Sequence, residues 1–376
     1  GKEKRIGMPR AVQPDRQLLG VTLALCFIGA VMVFSASALT ARELYHNGYI
    51  FLIRQLVAVA VGIAGMFWLM NTDYRKLRQP AVIFTGLSLS FVLLLAVFFL
   101  DRSHQTHRWF RVGPLSFQPS EMAKLALILF LAWFLEIRRS PRGFGINDAL
   151  HTLLPALGTV LIMAALIVKE PDMGTAFMIL VIAITMLFVA GISMRYIGAA
   201  LLAAIPVIYI LIVRVPYRYE RWIAFFHQDQ DTQGKGFQLA QSLIAVGSGG
   251  FTGVGLMESH QKLFFLPEAH TDFIFSVICE ELGYIGAIVV LALFAVFGWR
   301  AFCAAMKAPD EFGRFLGLGI ATMVVGQAMI NLSVVLGLMP TKGIPLPFVS
   351  YGGSSLVAML LATGVLLNIS QHAEET

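Results

Sequence analysis

Charge is scarce in this chain. Asp, Glu, Lys and Arg make up 13% of its 376 residues, while hydrophobic residues reach 57%. Soluble domains carry about a quarter charged residues, so this composition excludes one and points to a polytopic membrane protein. Cysteine is also rare: Cys26, Cys279 and Cys303 have neither disulfide nor zinc spacing and read as packing residues. No period of 20–50 residues marks a repeat array, and no stretch reads as a second, soluble domain. The N-terminal Gly-Lys-Glu-Lys-Arg leads into no cleavable signal pattern, and the first apolar segment can itself direct insertion. The formal net charge of +6 reads as topology bias and contact with anionic lipid, with no nucleic-acid partner expected.

Apolar spans long enough for a bilayer run at 18–38, 50–70, 80–100, 119–137, 149–168, 174–190, 196–213, 272–299, 315–338 and 351–369. The fold class is therefore an all-α polytopic membrane protein of about ten transmembrane helices, with a large extracytoplasmic connection, 214–271, between helices 7 and 8. An even number of spans puts both termini on one side. Lys2, Lys4, Arg5, Arg10 and Arg16 gather there, joined by Arg75, Lys76, Arg78, Arg138, Arg139, Arg142, Arg195, Arg300, Lys307 and Arg314. The positive-inside rule makes that side cytoplasmic. The expected organisation is a cytoplasmic segment 1–15, one membrane domain 16–370 and a cytoplasmic tail 371–376.

Polar residues concentrate on the opposite, outer side. Thr271 or His270 can cap helix 8, placing Asp272 in its first turn, where the helix dipole favours a carboxylate by up to about 1 kcal/mol. Ser276, Cys279, Glu280 and Gly283 follow on the same face, with Glu280 and Glu281 roughly 12 Å into the span. Acids at that depth must pair or line a wet cavity, which marks them as candidate functional residues. In helix 4, Pro119 suits the first turn, and Glu121 and Lys124 stand three apart, either as an ion pair or as the wall of a charged cavity. Asp172 reads as the cap of helix 6. His104 and His107 have ligand spacing without a third ligand, a weak metal signal.

Within the long connection, Tyr217-Arg218-Tyr219-Glu220-Arg221-Trp222 interleaves bases with aromatics, as a chain at the headgroup level would. The apolar run from Phe237 to Val246 is too short to span and reads as a re-entrant half-helix. It is bracketed by Gly234, Gly236, Gly247, Gly249, Gly250, Gly253 and Gly255, which suit tight turns or an anion nest. At the head of helix 10, Ser350 and Ser354 either cap the helix or, with Lys342, meet a phosphate.

Several motifs together resemble the SEDS family of bacterial cell-wall polymerases. They are Arg108-Trp109, Gln118-Pro119-Ser120-Glu121, Pro171-Asp172-Met173-Gly174-Thr175, Leu266-Pro267-Glu268-Ala269-His270-Thr271-Asp272, Glu280-Glu281-Leu282-Gly283 and Pro345-Leu346-Pro347-Phe348-Val349-Ser350-Tyr351-Gly352-Gly353-Ser354-Ser355. Gln261-Lys262-Leu263-Phe264-Phe265 and Pro340-Thr341-Lys342-Gly343 resemble the cell-division branch more than the elongation branch, while Ser276 and Cys279 depart from the Ala and Gly expected there.

The resemblance implies a peptidoglycan glycosyltransferase that polymerises lipid II at the outer face of the plasma (inner) membrane and releases undecaprenyl pyrophosphate. It implies Asp272 as catalytic base, with Arg108, Lys124 and Lys342 as pyrophosphate-side cations and Glu121 positioning Lys124. Glu268 and His270 would shape the mouth, with Glu280 and Glu281 in support. A divalent cation, Mg or Mn, is compatible but not required. Implied partners are a class B penicillin-binding transpeptidase with one membrane helix and division proteins of the FtsQ/FtsL/FtsB type. The small residues Gly313, Gly317, Gly319, Ala321, Gly326 and Ala328 of helix 9 suggest a docking face for the transpeptidase helix. A lipid-precursor flippase or a non-catalytic scaffold would be alternatives, but a flippase would be expected to show paired discontinuous helices, and none is visible in the sequence.

Overall fold

Several long helices start where the sequence supplies a cap or a proline. Asp15 accepts from Gln17 N and Leu18 N, both at 3.0 Å, to open α1 (Arg16–Tyr45). α2 (Ile50–Met70) and α3 (Pro80–Leu100) follow, and Pro119 stands in the first turn of α4 (Pro119–Arg139). A π-turn at 149–153 leads into α5 (Leu154–Lys169). Asp172 caps α6 (Met173–Ala190), and Gly191 in the left-handed region (φ 94°) stops it before α7 (Met194–Val213). Asp310 caps α11 (Glu311–Val335). The computed structural model describes every residue outside 1–12, 101–107, 113–114, 141–142, 227–235, 263–265 and 374–376. His104, His107, Arg142, Gly234, Leu263, Phe264, Phe265 and the terminal basic residues up to Arg10 lie outside the described residues.

Among the described residues nine helices are long and apolar enough to cross a membrane. α4, also 21 residues long, falls outside that set because it carries Glu121, Lys124, Glu136, Arg138 and Arg139. Glu121 and Lys124 are buried against each other inside the bundle, which is how a membrane helix tolerates such charges. The chain is a multi-pass membrane protein. Between α3 and α4 lies a small antiparallel hairpin, β1 (Phe110–Val112) and β2 (Leu115–Phe117), in register Phe110 to Phe117.

α11 is the spine, packed on α4, α6, α10 and α12 and buried along most of its length. Its small residues serve this bundle. An added Cβ at Gly317 would lie 2.8 Å from Ala305 Cβ, and one at Gly319 would lie 2.6 Å from Ile128. The docking face expected on this helix is thus already occupied by the chain itself. α12 (Gly353–Gln371) packs on α2, where Gly62 and Gly364 allow close approach. α7 is the opposite extreme, with no buried residue.

The long connection contains α8 (Pro216–Phe226) and the expected half-helix, α9 (Phe237–Ser248), which packs on α10 (Ile274–Met306). α10 is broken at Gly283, whose φ of 65° and ψ of −163° suit only glycine. The break is filled by the 249–255 backbone. Val254 N and Gly255 N donate to Glu280 O and Glu281 O, while Tyr284 N and Ile285 N donate to Gly250 O and Phe251 O. These pairings satisfy the backbone groups a helix break would strand in lipid. The glycines around 249–253 are there for this close approach. An added Cβ at Gly249 or Gly253 would strike the Cys279 or Glu281 carbonyl, so the anion nest is not their role. The break had no counterpart in the sequence reading, because an isolated Gly in an apolar run is ordinary in membrane helices.

Candidate active site at the loop-rich end

Asp272 sits in a short run of turns, not in the first turn of α10. That helix begins at Ile274 after Phe273, with no side-chain cap. Glu268, with φ 56°, turns the chain so that Thr271 N and Phe273 N both donate to Glu268 O, and the Thr271 hydroxyl donates to Glu268 Oε2 at 2.9 Å. Such local bonding competes with helix initiation. Three successive carbonyls are then held from outside. Tyr351 N donates to His270 O, the Ser350 hydroxyl to Thr271 O, and Asn331 Nδ2 to Asp272 O at 2.7 Å.

Ser350 therefore does not cap the last helix, which starts at Gly353. Its hydroxyl instead links Thr271 O to Leu346 N. Ser354, in the first turn of α12, accepts from Gln118 N at 3.3 Å. An added Cβ at Gly343 would lie 2.9 Å from Asp272 Oδ2, so the backbone beside Lys342 borders the acid. The carboxylate itself has no hydrogen bond or ion pair among the described residues. Burial pushes its pKa up to about 7; Glu268 and Asp172 add to the rise, and Arg221 and Arg108 oppose it. The sequence suggested an acid ionised by the helix dipole, but desolvation outweighs that contribution. A carboxylate titrating near neutrality is suited to taking a proton and giving it up.

The other candidates surround this point unequally. Arg108 donates through Nε to Glu170 O at 2.8 Å and through a terminal nitrogen to Pro171 O, gripping the turn between α5 and α6. In that turn Asp172 caps α6 through Thr175 N at 3.0 Å and accepts from Gln118 Nε2 at 2.8 Å. The Lys342 ammonium lies 4.7 Å from the Phe177 ring, and burial lowers its pKa. His270 lies between the Phe51 and Tyr351 rings, at 5.0 and 5.7 Å, and burial lowers its pKa while Glu268 opposes. Lys124 does not face open space. It is 1% exposed and donates to Glu121 at 2.9 Å and to Gln327 Oε1 at 2.8 Å. Both readings of the Glu121 and Lys124 pair left open by spacing reduce here to a buried ion pair with a polar third partner.

Glu280 and Glu281 are saturated acids. Glu280 accepts from the Ser259 hydroxyl, His260 N and Gln261 N, and Glu281 from Lys262 Nζ at 2.7 Å and the Ser35 hydroxyl at 2.6 Å. Ser276, expected on the same face as Asp272, bonds to Ser242 of α9 at 2.7 Å. That face therefore holds the long connection in place instead of lining a cavity. No group of three or more His, Cys, Asp or Glu with metal-site geometry occurs among the described residues. The sequence reading missed Gln327 and Asn331. The signal was present, since they are two amides four residues apart in an apolar span.

Comparison with known proteins covers nearly the whole chain. The FtsW/RodA/SpoVE family, described as cell cycle protein, matches residues 16–375. The chain is 43% identical over 367 residues to "Probable peptidoglycan glycosyltransferase FtsW" of Trichlorobacter lovleyi, covering 96% of this chain and 94% of the relative. It is 41% identical to "Stage V sporulation protein E" of Bacillus subtilis, covering 97% and 99%. Among solved structures, a chain from "Structural coordination of polymerization and crosslinking by a peptidoglycan synthase complex" superposes with a TM-score of 0.76 at 33% identity, covering 95% of this chain and 97% of that one. The rod shape determining protein RodA of Thermus thermophilus superposes with a TM-score of 0.70 at 29% identity, covering 96% and 98%. The chain belongs to the FtsW/RodA/SpoVE family.

Proposed function

We propose that this protein is a peptidoglycan glycosyltransferase that joins lipid II units into glycan strands, with Asp272 as the general base. The observation that carries the reading is a carboxylate pushed up to about 7, free of any ion pair among the described residues, at the end of the bundle where Arg108, Arg221 and Lys342 also gather. In the reaction Asp272 takes the proton of the acceptor sugar hydroxyl, whose oxygen attacks the anomeric carbon of the donor strand. A glycosidic C–O bond forms and the bond to pyrophosphate breaks, and the lipid pyrophosphate leaves with the electron pair. Cations near the acid stabilise that charge as it develops. In this reading Arg108 and Lys342 act at the pyrophosphate. Lys124 and Glu121 act through Gln327, which holds Pro345 O at 3.0 Å.

The loop-rich end faces outward in this reading, and the Arg-rich end with both termini faces the cytoplasm of a bacterium whose plasma membrane holds the chain. The product strand passes to a class B penicillin-binding transpeptidase, in keeping with the solved relative's coupling of polymerization to crosslinking. The similarity to FtsW proteins favours a role in division. A lipid-precursor transporter would draw on the break in α10. That break is filled by loop backbone, which leaves Glu280 O and Glu281 O already bonded. The test is glycan synthesis from lipid II by purified wild-type protein and by Asp272→Asn, with wild-type polymer and none from the variant expected. Polymer from both at equal rate ends the base assignment.

A further inference from the structure

The two amides of α11 are buried among Val324, Ala328, Ile330, Leu332 and Val335, and each is 1% exposed. An amide in such surroundings costs roughly 1–3 kcal/mol unless it is hydrogen-bonded; Gln327 is paired at both ends and Asn331 through Nδ2 alone, its Oδ1 having no partner among the described residues. Asn331 uses both protons of Nδ2. One goes to Asp272 O and one to Ile344 O, each at 2.7 Å. Those carbonyls belong to two segments remote in sequence, the turn before α10 and the connection after α11. One helical turn earlier, Gln327 donates to Pro345 O and accepts from Lys124. Two consecutive carbonyls of the 342–346 segment are thus pinned to α11, and Gly343 is held against the Asp272 carboxylate.

We propose that Asn331 is the positioning residue for Asp272, clamping the backbone that carries the acid to the segment that carries Lys342 and so keeping the carboxylate in its half-buried place between them. The proposal rests on the reading of Asp272 as base. Asn331 does not bond to the carboxylate; it acts through the main chain on both sides of it. With the amide gone, the two segments can part, more water reaches the half-buried Asp272, and its proton affinity falls toward the ordinary carboxylate range. Charged groups that face Asp272 are Glu268 on its own segment, Asp172 from the turn between α5 and α6, Arg108 from the connection between α3 and α4, and Arg221 from α8. All of them remain in an Asn331 variant.

The experiment measures lipid II polymerisation against pH by the purified full chain carrying Asn331→Leu, which removes both donors at similar volume. The expected result is a kcat about tenfold to a hundredfold lower, the cost of a small misplacement of a reacting group. KM should change less than about twofold, and the acidic limb of the pH–rate profile should move down by about one unit. Asn331→His, which keeps an N–H donor at the same distance from the backbone, should restore part of the rate and of the limb. A normal rate in Asn331→Leu, or a lower rate with the limb unmoved, overturns the proposal. If Asn331→Leu does not fold, Asn331→Ala, which also removes both donors and adds no charge, carries the same test, and failure of both to fold assigns the residue to folding alone. An active Asp272→Asn means that the base reading has failed. An inactive Asp272→Asn beside an unaltered Asn331→Leu means that only the clamp has.

Discussion

Asp272 and the pair Glu280 and Glu281 are close in sequence, yet the structure treats them in opposite ways. At Asp272 the backbone is bonded and the carboxylate left without a partner among the described residues; around it Tyr351, Ser350 and Asn331 grip three consecutive carbonyls. At Glu280 and Glu281 the carboxylates themselves are consumed, by Ser259, His260 and Gln261 in one case and Lys262 and Ser35 in the other. A saturated acid fixes structure. An acid whose surroundings are fixed while its own oxygens are spare is placed for chemistry.

The strongest way to break this contrast is to exchange each oxygen set for a neutral one. Asp272→Asn should lower glycan synthesis by about 10²–10⁴-fold, the range for loss of a general base, while leaving the melting temperature unchanged or higher. Glu281→Ala should do the reverse. It strands the Lys262 ammonium, 3% exposed, and should cost about 3–5 kcal/mol of stability, read as a drop in melting temperature. Replacing both partners, Glu281→Leu with Lys262→Met, should recover most of that loss, because an apolar pair leaves no stranded charge. If Asp272→Asn lost stability and Glu281→Ala lost only turnover, the two roles would have to be exchanged.

The spans were legible because lipid demands length and apolarity, and the ends were not, because caps and turns decide them. Asp172 as the cap of α6 and Pro119 in the first turn of α4 could be read directly. The position of Asp272 before α10 could not, since it depends on Glu268 adopting a positive φ. Ser350 looked like a cap by its place in the chain. Its true partners, Thr271 O and Leu346 N, are set by tertiary packing. The glycines of α11 looked like a docking stripe, because small residues mark any close helix contact, internal or external alike.

The Glu121 and Lys124 pair sharpens the comparison, because it is a buried ion pair like Glu281 and Lys262, with Glu121 Oε2 left unbonded among the described residues, yet it points toward the site through Gln327. Exchanging the two charges, Glu121→Lys with Lys124→Glu, should not restore the activity lost by Glu121→Ala or Lys124→Ala. Gln327 Oε1 accepts from the ammonium while its Nε2 holds Pro345 O. A carboxylate in place of that ammonium would demand that the amide turn round and release Pro345. Recovery to half of normal turnover or better would show that only the attraction of the pair matters.

The smallest expected effect belongs to Glu170, fully buried, with neither carboxylate oxygen hydrogen-bonded among the described residues. Burial pushes its pKa from 4.5 up to about 8; Asp172 adds to the rise and Arg108 opposes it. The folded protein therefore keeps this proton over a range in which the unfolded chain has lost it. Stability from this group is fully present below about pH 4.5, falls as pH rises from there to about 8, and changes little beyond. Glu170→Gln keeps the shape of the protonated acid and has no proton to lose. It should melt at the same temperature as the wild type at pH 4.5 and a few degrees higher at pH 8–9. The same difference at both pH values would show that Glu170 is ionised throughout. It would then join Glu280 and Glu281 among the acids that serve structure.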